Sequence, residues 1–428
     1  MKGCDKFFSS RSDLRKVEPW YAEQTQKSRV YTVTTLHVRS YQEYVKVHPQ
    51  NTSPAPLIIT NLKNNKPLPN NNKNKKNLCS SNMNENLKSI INQTKDILPR
   101  KADITFKGSL GRHLALTGSL RFPGAAGFPS LAALKMGVDL PYLLLSPDRD
   151  LLLLTRMKSS DLMVSPLPLL NYKDLSNTPS FEKHSRNRDG IVFGPGLSRI
   201  TDPMYEHDED AKKLFKNSVV AQLKIIADSI NNDKKKIPIV IDADGIFLIT
   251  QKVLFGKDEF GEDWDWILVV HELIVGILTK GKDRLVITPN EREFKHLQDA
   301  IPLIFKGDDQ IMVLVKGNSD KIGFLSKSGY EINEECGYEG GLKRCGGLGD
   351  CLTGVISTLL AWIEIKQSMN KTTTTQEDYL NAVMTGCCIM REASKKAVEV
   401  NGISCVAEDV ISQIPSARET ILGDFING

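Results

Sequence analysis

Gly340-Gly341-Leu342-Lys343-Arg344-Cys345-Gly346-Gly347-Leu348-Gly349-Asp350, running into Cys351-Leu352-Thr353-Gly354-Val355-Ile356-Ser357, is the stretch on which the reading of this chain turns. Its glycines free the backbone to take positive φ and to come close to a ligand. Beyond them the chain is apolar at helical spacing through Trp362 and Ile363, so the glycines stand where a helix begins. A helix start offers N–H groups without intrahelical partners and the positive end of a dipole, a combination that holds phosphate. Asp350 falls at the boundary, as a favoured N-cap residue. Taken alone, such a sequence is equally a capped turn. The sharper alternative is an aspartate that takes a proton from a substrate hydroxyl while backbone amides stabilise a transferring phosphoryl group.

Upstream, short apolar runs alternate with helical patterns. His113–Leu116, Leu140–Leu145, Asp161–Val164, Ile191–Phe193, Ile237–Ile241, Leu285–Thr288 and Gln310–Val315 read as strands. The helices are placed at Pro129–Met136, Ala211–Ile230, from Arg292 to Leu297, after Asp350, and at Tyr379–Val400, with a short closing helix at Val406–Ile414. The strands are continuous in apolarity rather than alternating, which predicts a mostly parallel sheet covered on both faces. Polar residues and glycines gather after each strand, at the edge where open α/β sheets bind ligands. The stretch between Phe255 and Asp283 reads as a surface helix or insertion, and Thr372–Asp378 as a polar loop.

The chain has 428 residues, room for one large domain or two ordinary ones. Residues 1–98 read as a disordered basic extension, with an asparagine- and lysine-rich tract at Asn61–Asn92, and residues 99–428 as the folded domain. Up to Lys107 there are 19 basic against 8 acidic residues, which leaves the remainder mildly acidic. Without aromatic platforms or a binding module, this basic tail predicts no specific nucleic-acid partner. No unbroken apolar run is long enough to span a bilayer, so no membrane role is expected. Eight scattered cysteines show neither disulfide nor zinc spacing, and the seven histidines form no ligand cluster. Reduced thiols and an intracellular setting are expected, the cytosol first and mitochondria second. A metal should arrive with a phosphate ligand rather than in a protein cage.

Five signals at strand ends stand in one order: Gly194-Pro195-Gly196-Leu197, Ile241-Asp242-Ala243-Asp244-Gly245, Thr288-Pro289-Asn290-Glu291-Arg292-Glu293-Phe294, Val315-Lys316-Gly317-Asn318-Ser319-Asp320, and the Arg344–Asp350 run. Together they resemble the ribokinase-like superfamily and, within it, the ATP-dependent (S)-NAD(P)H-hydrate dehydratases, over about Phe106 to Phe425. The resemblance implies a three-layer α/β/α sandwich. It implies a lyase that uses ATP, with Mg²⁺ as helper, to phosphorylate the ring hydroxyl of (6S)-NADHX or NADPHX; phosphate then leaves to restore NADH or NADPH. By the same resemblance Asp350 contacts the substrate hydroxyl and serves as base. Gly196 and Asn290, Glu291, Arg292, Glu293, Phe294, Lys295 and His296 match substrate-binding positions. Lys316, Gly317, Asn318, Ser319 and Asp320, with Leu342, Lys343, Arg344, Cys345, Gly346, Gly347, Leu348 and Gly349, match ATP-binding positions. Asp244 matches an aspartate near metal and phosphates.

The pattern is departed from at Thr117 and Ser198, which stand where the family usually has glycine, and at Ala126, where it commonly has proline. A threonine at a turn needing φ > 0 would be strained. A homo-oligomer is compatible with the resemblance, and the first hundred residues are too short and polar for a fused epimerase, so a separate NAD(P)HX epimerase is the expected functional partner. Two other readings stay open: a small-molecule kinase of the same superfamily, such as a hydroxyethylthiazole kinase, and a nucleotide-binding scaffold without turnover.

Overall fold

Odd and even residues of the central strands part to opposite sides. Ile191 and Phe193, Ile239 and Ile241, and Leu285 and Ile287 enter one apolar cluster; Val192, Val240 and Val286 between them enter another. A strand apolar on both faces has to be covered on both, and it is. The computed structural model describes residues 83–424 apart from 169, 175–180, 233–234 and 251–263. All of these belong to one unit, Asn71–Gly428.

The strands are β1 (Arg112–Leu116), β2 (Leu140–Leu145), β3 (Met163–Pro166), β4 (Gly190–Phe193), β5 (Ile239–Ile241), β6 (Leu285–Ile287), β7 (Gln310–Val315), β8 (Asp320–Ser326) and β9 (Gly329–Cys336). They form one sheet in the order β3-β2-β1-β4-β5-β6-β7-β8-β9. Pairings through β7 are parallel, for example Ile191 opposite Ile239 and Ile239 opposite Leu285. The β7–β8 and β8–β9 pairings are antiparallel. The helices are α1 (Glu85–Asp96), α2 (Pro123–Met136), α3 (Arg149–Lys158), α4 (Glu182–Ser185), α5 (Glu209–Ile230), α6 (Asp244–Thr250), α7 (Trp264–Lys280), α8 (Glu291–Ile304), α9 (Leu348–Asn370), α10 (Gln376–Asn401) and α11 (Ala407–Leu422).

Helices α5, α7 and α8 cover one face through residues such as Val219, Ile226, Trp266 and Leu297. Helices α1, α9, α10 and α11 contribute to the cluster on the other through Ile90, Leu359, Val383 and Ile414. This is the expected α/β/α sandwich. From β1 the chain steps outward to β2 and β3, then returns to β4 on the other side of β1 and continues to β9. The strand order therefore reverses between β1 and β4, which opens a crevice beyond their carboxyl ends.

Several boundaries differ from the sequence reading. Residues 85–98, read from sequence as part of the extension, belong to the folded unit instead, because Leu87, Ile90, Ile91 and Leu98 are buried in the second cluster. Thr94 is also held there, accepting from the Thr385 hydroxyl at 3.0 Å. The earlier part of that extension lies outside the described residues. Helix α2 begins at Pro123 rather than Pro129, since proline suits a first helical turn. The leucine-rich run at 151–154 forms part of α3, capped by the Asp148 side chain. Between Phe255 and Asp283 the described part is α7, with Trp266 fully buried, rather than a surface insertion. The β8–β9 hairpin was not anticipated, because β9 reads as polar with only its last residue, Cys336, buried. Helix α9 is, among the described residues, long and apolar enough to cross a membrane, yet 72% of its most apolar window is buried in the protein. It is the core helix of the second layer.

Two checks follow from this packing. Ile91→Ala should lower unfolding free energy by about 2–4 kcal/mol in a urea titration, whereas a detached extension would leave it unchanged. A Cβ at Gly354 would stand 2.0 Å from the Pro129 carbonyl oxygen, while one at Gly276 in α7 meets nothing within 4 Å. Gly354→Ala should therefore destabilise by about 1–3 kcal/mol, and Gly276→Ala should stabilise by about 0.5–1 kcal/mol.

Candidate functional site

The exits of β4, β5, β6 and β7 converge in front of the α9 amino terminus. Gly194, just past β4, has φ 116°, and a Cβ there would stand 2.0 Å from the Asp242 carbonyl oxygen. No side chain fits, so the β4 and β5 exits touch backbone to backbone. Asp242 follows β5 with its side chain only 2% exposed, and it accepts a hydrogen bond from Lys316 Nζ at 2.5 Å. Lys316 follows β7, and its own amide donates to the Pro289 carbonyl past β6 at 2.8 Å. Three strand ends are thus tied into one ridge.

Helix α9 is seated on that ridge. Its N-cap is Gly347, at φ 91°, so Asp350 is the third helical residue and not the cap expected from sequence. Glycine reaches that φ without strain, and it leaves the first-turn amides without a side-chain acceptor. A Cβ on Gly349 would lie 3.2 Å from Lys316 Nζ and 3.4 Å from Asp242 Oδ2. Its absence brings the first-turn amides close to the ion pair. Burial pushes the Asp350 carboxyl up to about 7, and the negative charges of Asp242 and Asp244 add to the push while Lys316 opposes it. A proton acceptor titrating near neutrality, beside unpaired helix-start amides, is equipped for base chemistry next to an anion.

Around this centre the other expected residues take distinct places. Asn290 caps α8, its side chain accepting from the Arg292 and Glu293 amides at 3.0 Å each. Glu293 turns back to accept from the Asn290 amide at 2.9 Å. Burial raises the Glu293 carboxyl, with Lys316, Asp242 and Asp244 all within electrostatic reach. Phe294 meets Tyr330 edge-on at 4.8 Å, and Glu291, Arg292, Lys295 and His296 are exposed on α8. Arg344 Nη2 donates to Asn318 Oδ1 at 2.5 Å, which links the two segments expected to hold the nucleotide. Ser319 Oγ donates to Glu335 Oε1. Leu342 is 98% exposed and Gly346 is open, whereas Cys345 packs against the second apolar cluster. Lys343 and Leu348 are half-buried.

On the other side of the crevice, Gly196 has φ 65°, and a Cβ there would meet Ala125 Cβ at 2.6 Å. Ser198, one of the two departures from glycine that matter here, keeps the glycine-like backbone at φ 71°. Its amide donates to Asp244 Oδ2 at 2.9 Å and its hydroxyl to Asp202 Oδ2 at 2.9 Å, bonds that offset the strain. Thr117 is not strained. Positive φ falls on Gly118 instead, and the Thr117 hydroxyl donates to the Ala126 carbonyl at 2.9 Å. Asp244 also accepts from Arg199 Nε at 3.3 Å, and burial raises its carboxyl in spite of these partners. Sequence reasoning passed over Asp242 and Arg199. Asp242 lies in a motif already noted, but its pairing with Lys316 joins residues 74 positions apart, which no local pattern announces.

No group of three or more His, Cys, Asp or Glu among the described residues could by itself hold a metal ion. Both Asp244 oxygens are engaged by Ser198 and Arg199. Asp242 is likewise paired with Lys316, so the donor set fits a magnesium ion held chiefly by phosphate oxygens, with Asp350, Asp242 and Asp244 as the carboxylates nearest it.

A family model described as NAD(P)H-hydrate dehydratase matches residues 113–416. The chain belongs to this family. Curated relatives include the ATP-dependent (S)-NAD(P)H-hydrate dehydratase of Entamoeba histolytica, 26% identical over 346 residues, covering 78% of this chain and 95% of that protein. That of Schizosaccharomyces pombe is 28% identical over 359 residues, covering 79% and 94%. Among solved structures, the Bacillus subtilis ADP/ATP-dependent NAD(P)H-hydrate dehydratase co-crystallised with ATP/Mg²⁺ is 18% identical, with a TM-score of 0.44, covering 77% of this chain and 97% of its own length.

The raised Asp350 carboxyl sets a stability test with a definite sign. Its folded value lies near 7, above the ordinary 3.8. The folded state thus holds a proton that the unfolded state releases, and the stability this gives is full below about pH 4 and lost as pH rises to about 7. Asp350→Asn removes the titration. In thermal melts the variant should gain on the parent between about pH 4 and 7 and keep a constant advantage above that. A gap that does not change with pH would show that Asp350 titrates as an ordinary carboxylate.

Proposed function

We propose that this chain carries out the ATP-dependent dehydration of (S)-NAD(P)H-hydrate with Asp350 as the base. The observation that carries the assignment is the placement of a half-buried carboxylate, raised to about 7, in the first turn of α9 beside the Lys316–Asp242 pair. Family membership supplies the substrate, and the curated relatives share its name.

In this reading the ionised Asp350 accepts the proton of the substrate's ring hydroxyl as that oxygen bonds to the terminal phosphorus of ATP and the bond to ADP breaks. First-turn amides of α9 and the Lys316 ammonium face the charge that develops on the phosphoryl oxygens. Magnesium, when bound with the nucleotide, supplies further charge neutralisation. In the second stage the ring carbon–oxygen bond breaks with its electrons leaving on phosphate, and the neighbouring carbon gives up a proton to restore the dihydronicotinamide. Asp350 is only half-buried, so the bound substrates themselves have to complete the exclusion of water that limits simple hydrolysis of ATP. Asn290 to His296 and Gly196 bracket the substrate side, and Lys316 to Asn318 with Arg344 to Gly349 the nucleotide side. The opposite epimer would need a separate epimerase to enter this reaction.

Incubation with ATP and the S hydrate should return the absorbance of the reduced nicotinamide with one ADP and one phosphate per turnover. Asp350→Asn should lower kcat by about 10²–10⁴-fold while leaving ATP binding in place. Accumulation of a stable phosphorylated product would instead identify a kinase, and an unchanged rate in the variant would remove Asp350 from the chemistry.

A further inference from the structure

Arg391, in the middle of α10, lies outside every motif that marks the site, yet its guanidinium is spent on the nucleotide segment. Nε donates to Asp320 Oδ2 at 2.7 Å, Nη2 to the Gly317 carbonyl at 3.2 Å and Nη1 to the Tyr338 carbonyl at 3.2 Å. Asp320 in turn accepts from the Gly317 amide through Oδ1 at 3.2 Å. Both polar groups of the Gly317 peptide unit's neighbourhood, its N–H and its C=O, are therefore fixed by one ion pair. That pair is sheltered, with side-chain exposures of 16% for Arg391 and 9% for Asp320.

We propose that Arg391 is a positioning residue for ATP, and that Asp320 serves as its counter-ion rather than as a nucleotide ligand. The three acceptors lie in three directions, at β8, at the turn after β7 and beyond β9. A planar guanidinium with a fixed fork of donors can bind all of them at once; an ammonium cannot keep that geometry. Pinning Gly317 sets the direction in which the chain leaves Lys316, whose ammonium lies 2.5 Å from Asp242 under the α9 start. It also presents Asn318 to Arg344, which joins the two nucleotide segments. A Cβ at Gly317 would come 2.9 Å from the Ser319 carbonyl oxygen, so the turn is tight and has little room to find another path.

This inference rests on the proposed ATP site, and the experiment separates the two. Binding of a non-hydrolysable ATP analogue with Mg²⁺ is measured by calorimetry for the full chain, for Arg391→Lys and for Asp320→Asn, alongside steady-state kinetics and thermal melts. Arg391→Lys keeps the charge and should fold, but its analogue Kd and its KM for ATP should rise about 10-fold or more. Its kcat should stay within about 3-fold and its KM for the hydrate within about 2-fold, a split that general loosening of the fold would not give. Asp320→Asn should show the same split. Unchanged ATP affinity in a folded Arg391→Lys protein overturns the proposal. Analogue binding by the parent without recovery of reduced nicotinamide would sink the dehydratase reading and leave the positioning role standing on the Kd values. Should Arg391→Lys fail to fold, hydrogen exchange on the parent decides: the Gly317 amide should be protected without nucleotide, and exchange at open-loop rates would overturn the brace.

Discussion

The Lys316–Asp242 ion pair is the contact around which the site is arranged. It joins the ends of β5 and β7 across β6, with Asp242 almost wholly buried. Removing either partner would leave an uncompensated charge at the foot of α9, a situation that proteins tolerate poorly. The pair does more than close the sheet edge. Because Gly349 has no side chain, its position lets the helix start approach the pair, and a Cβ there would already be in tight contact with Lys316 Nζ. Close packing of a cation, two carboxylates and a helix amino terminus is what sets the electrostatics of Asp350.

Strain on the opposite wall fits the same arrangement. Ser198 and Ala243 both hold positive φ, at 71° and 49°, without being glycine. Ala243 directly precedes Asp244, and Ser198 donates its amide to that aspartate. Such conformations persist only where the surroundings over-determine them. Here Asp244 is fixed from three sides: by its own turn, by Ser198 and by Arg199, whose guanidinium lies 3.8 Å from the centre of the Phe247 ring. The carboxylate is thereby held in the crevice although burial disfavours its charge.

Much of this is legible in the sequence. Buried parallel strands announce themselves by unbroken apolar runs, so β2 and β7 were placed with their true ends and β1, β4, β5 and β6 within two residues. The glycine turn before α9 was legible for the same local reason. The β8–β9 hairpin was not, because an edge strand such as β9, with glutamates at 331, 334 and 335, has no core face to reveal it. Helix α1 was hidden by its setting in an asparagine- and lysine-rich tract, although Leu87, Ile90, Ile91 and Thr94 share one buried face. In the site, Asp350 and Lys316 could be found because they follow recognisable strand and turn signals. Asp242 as the ion-pair partner and Arg391 as the anchor of Gly317 could not, since each acts through a contact between residues more than 70 positions apart.

The raised carboxyl of Asp350 has its main cause in the depth of its setting, although the residue is only half-buried. Burial is the largest influence on that group, ahead of the charges of Asp242 and Asp244. A base in open solvent would sit near 4 and accept a proton from an alcohol only weakly; one buried without a cation would hold its proton too firmly to act as a base at all. Lys316 supplies the opposing charge that keeps Asp350 near neutrality, where it is substantially ionised and still a competent acceptor. Depth at the sheet edge and the position of one lysine together set where the Asp350 carboxyl titrates.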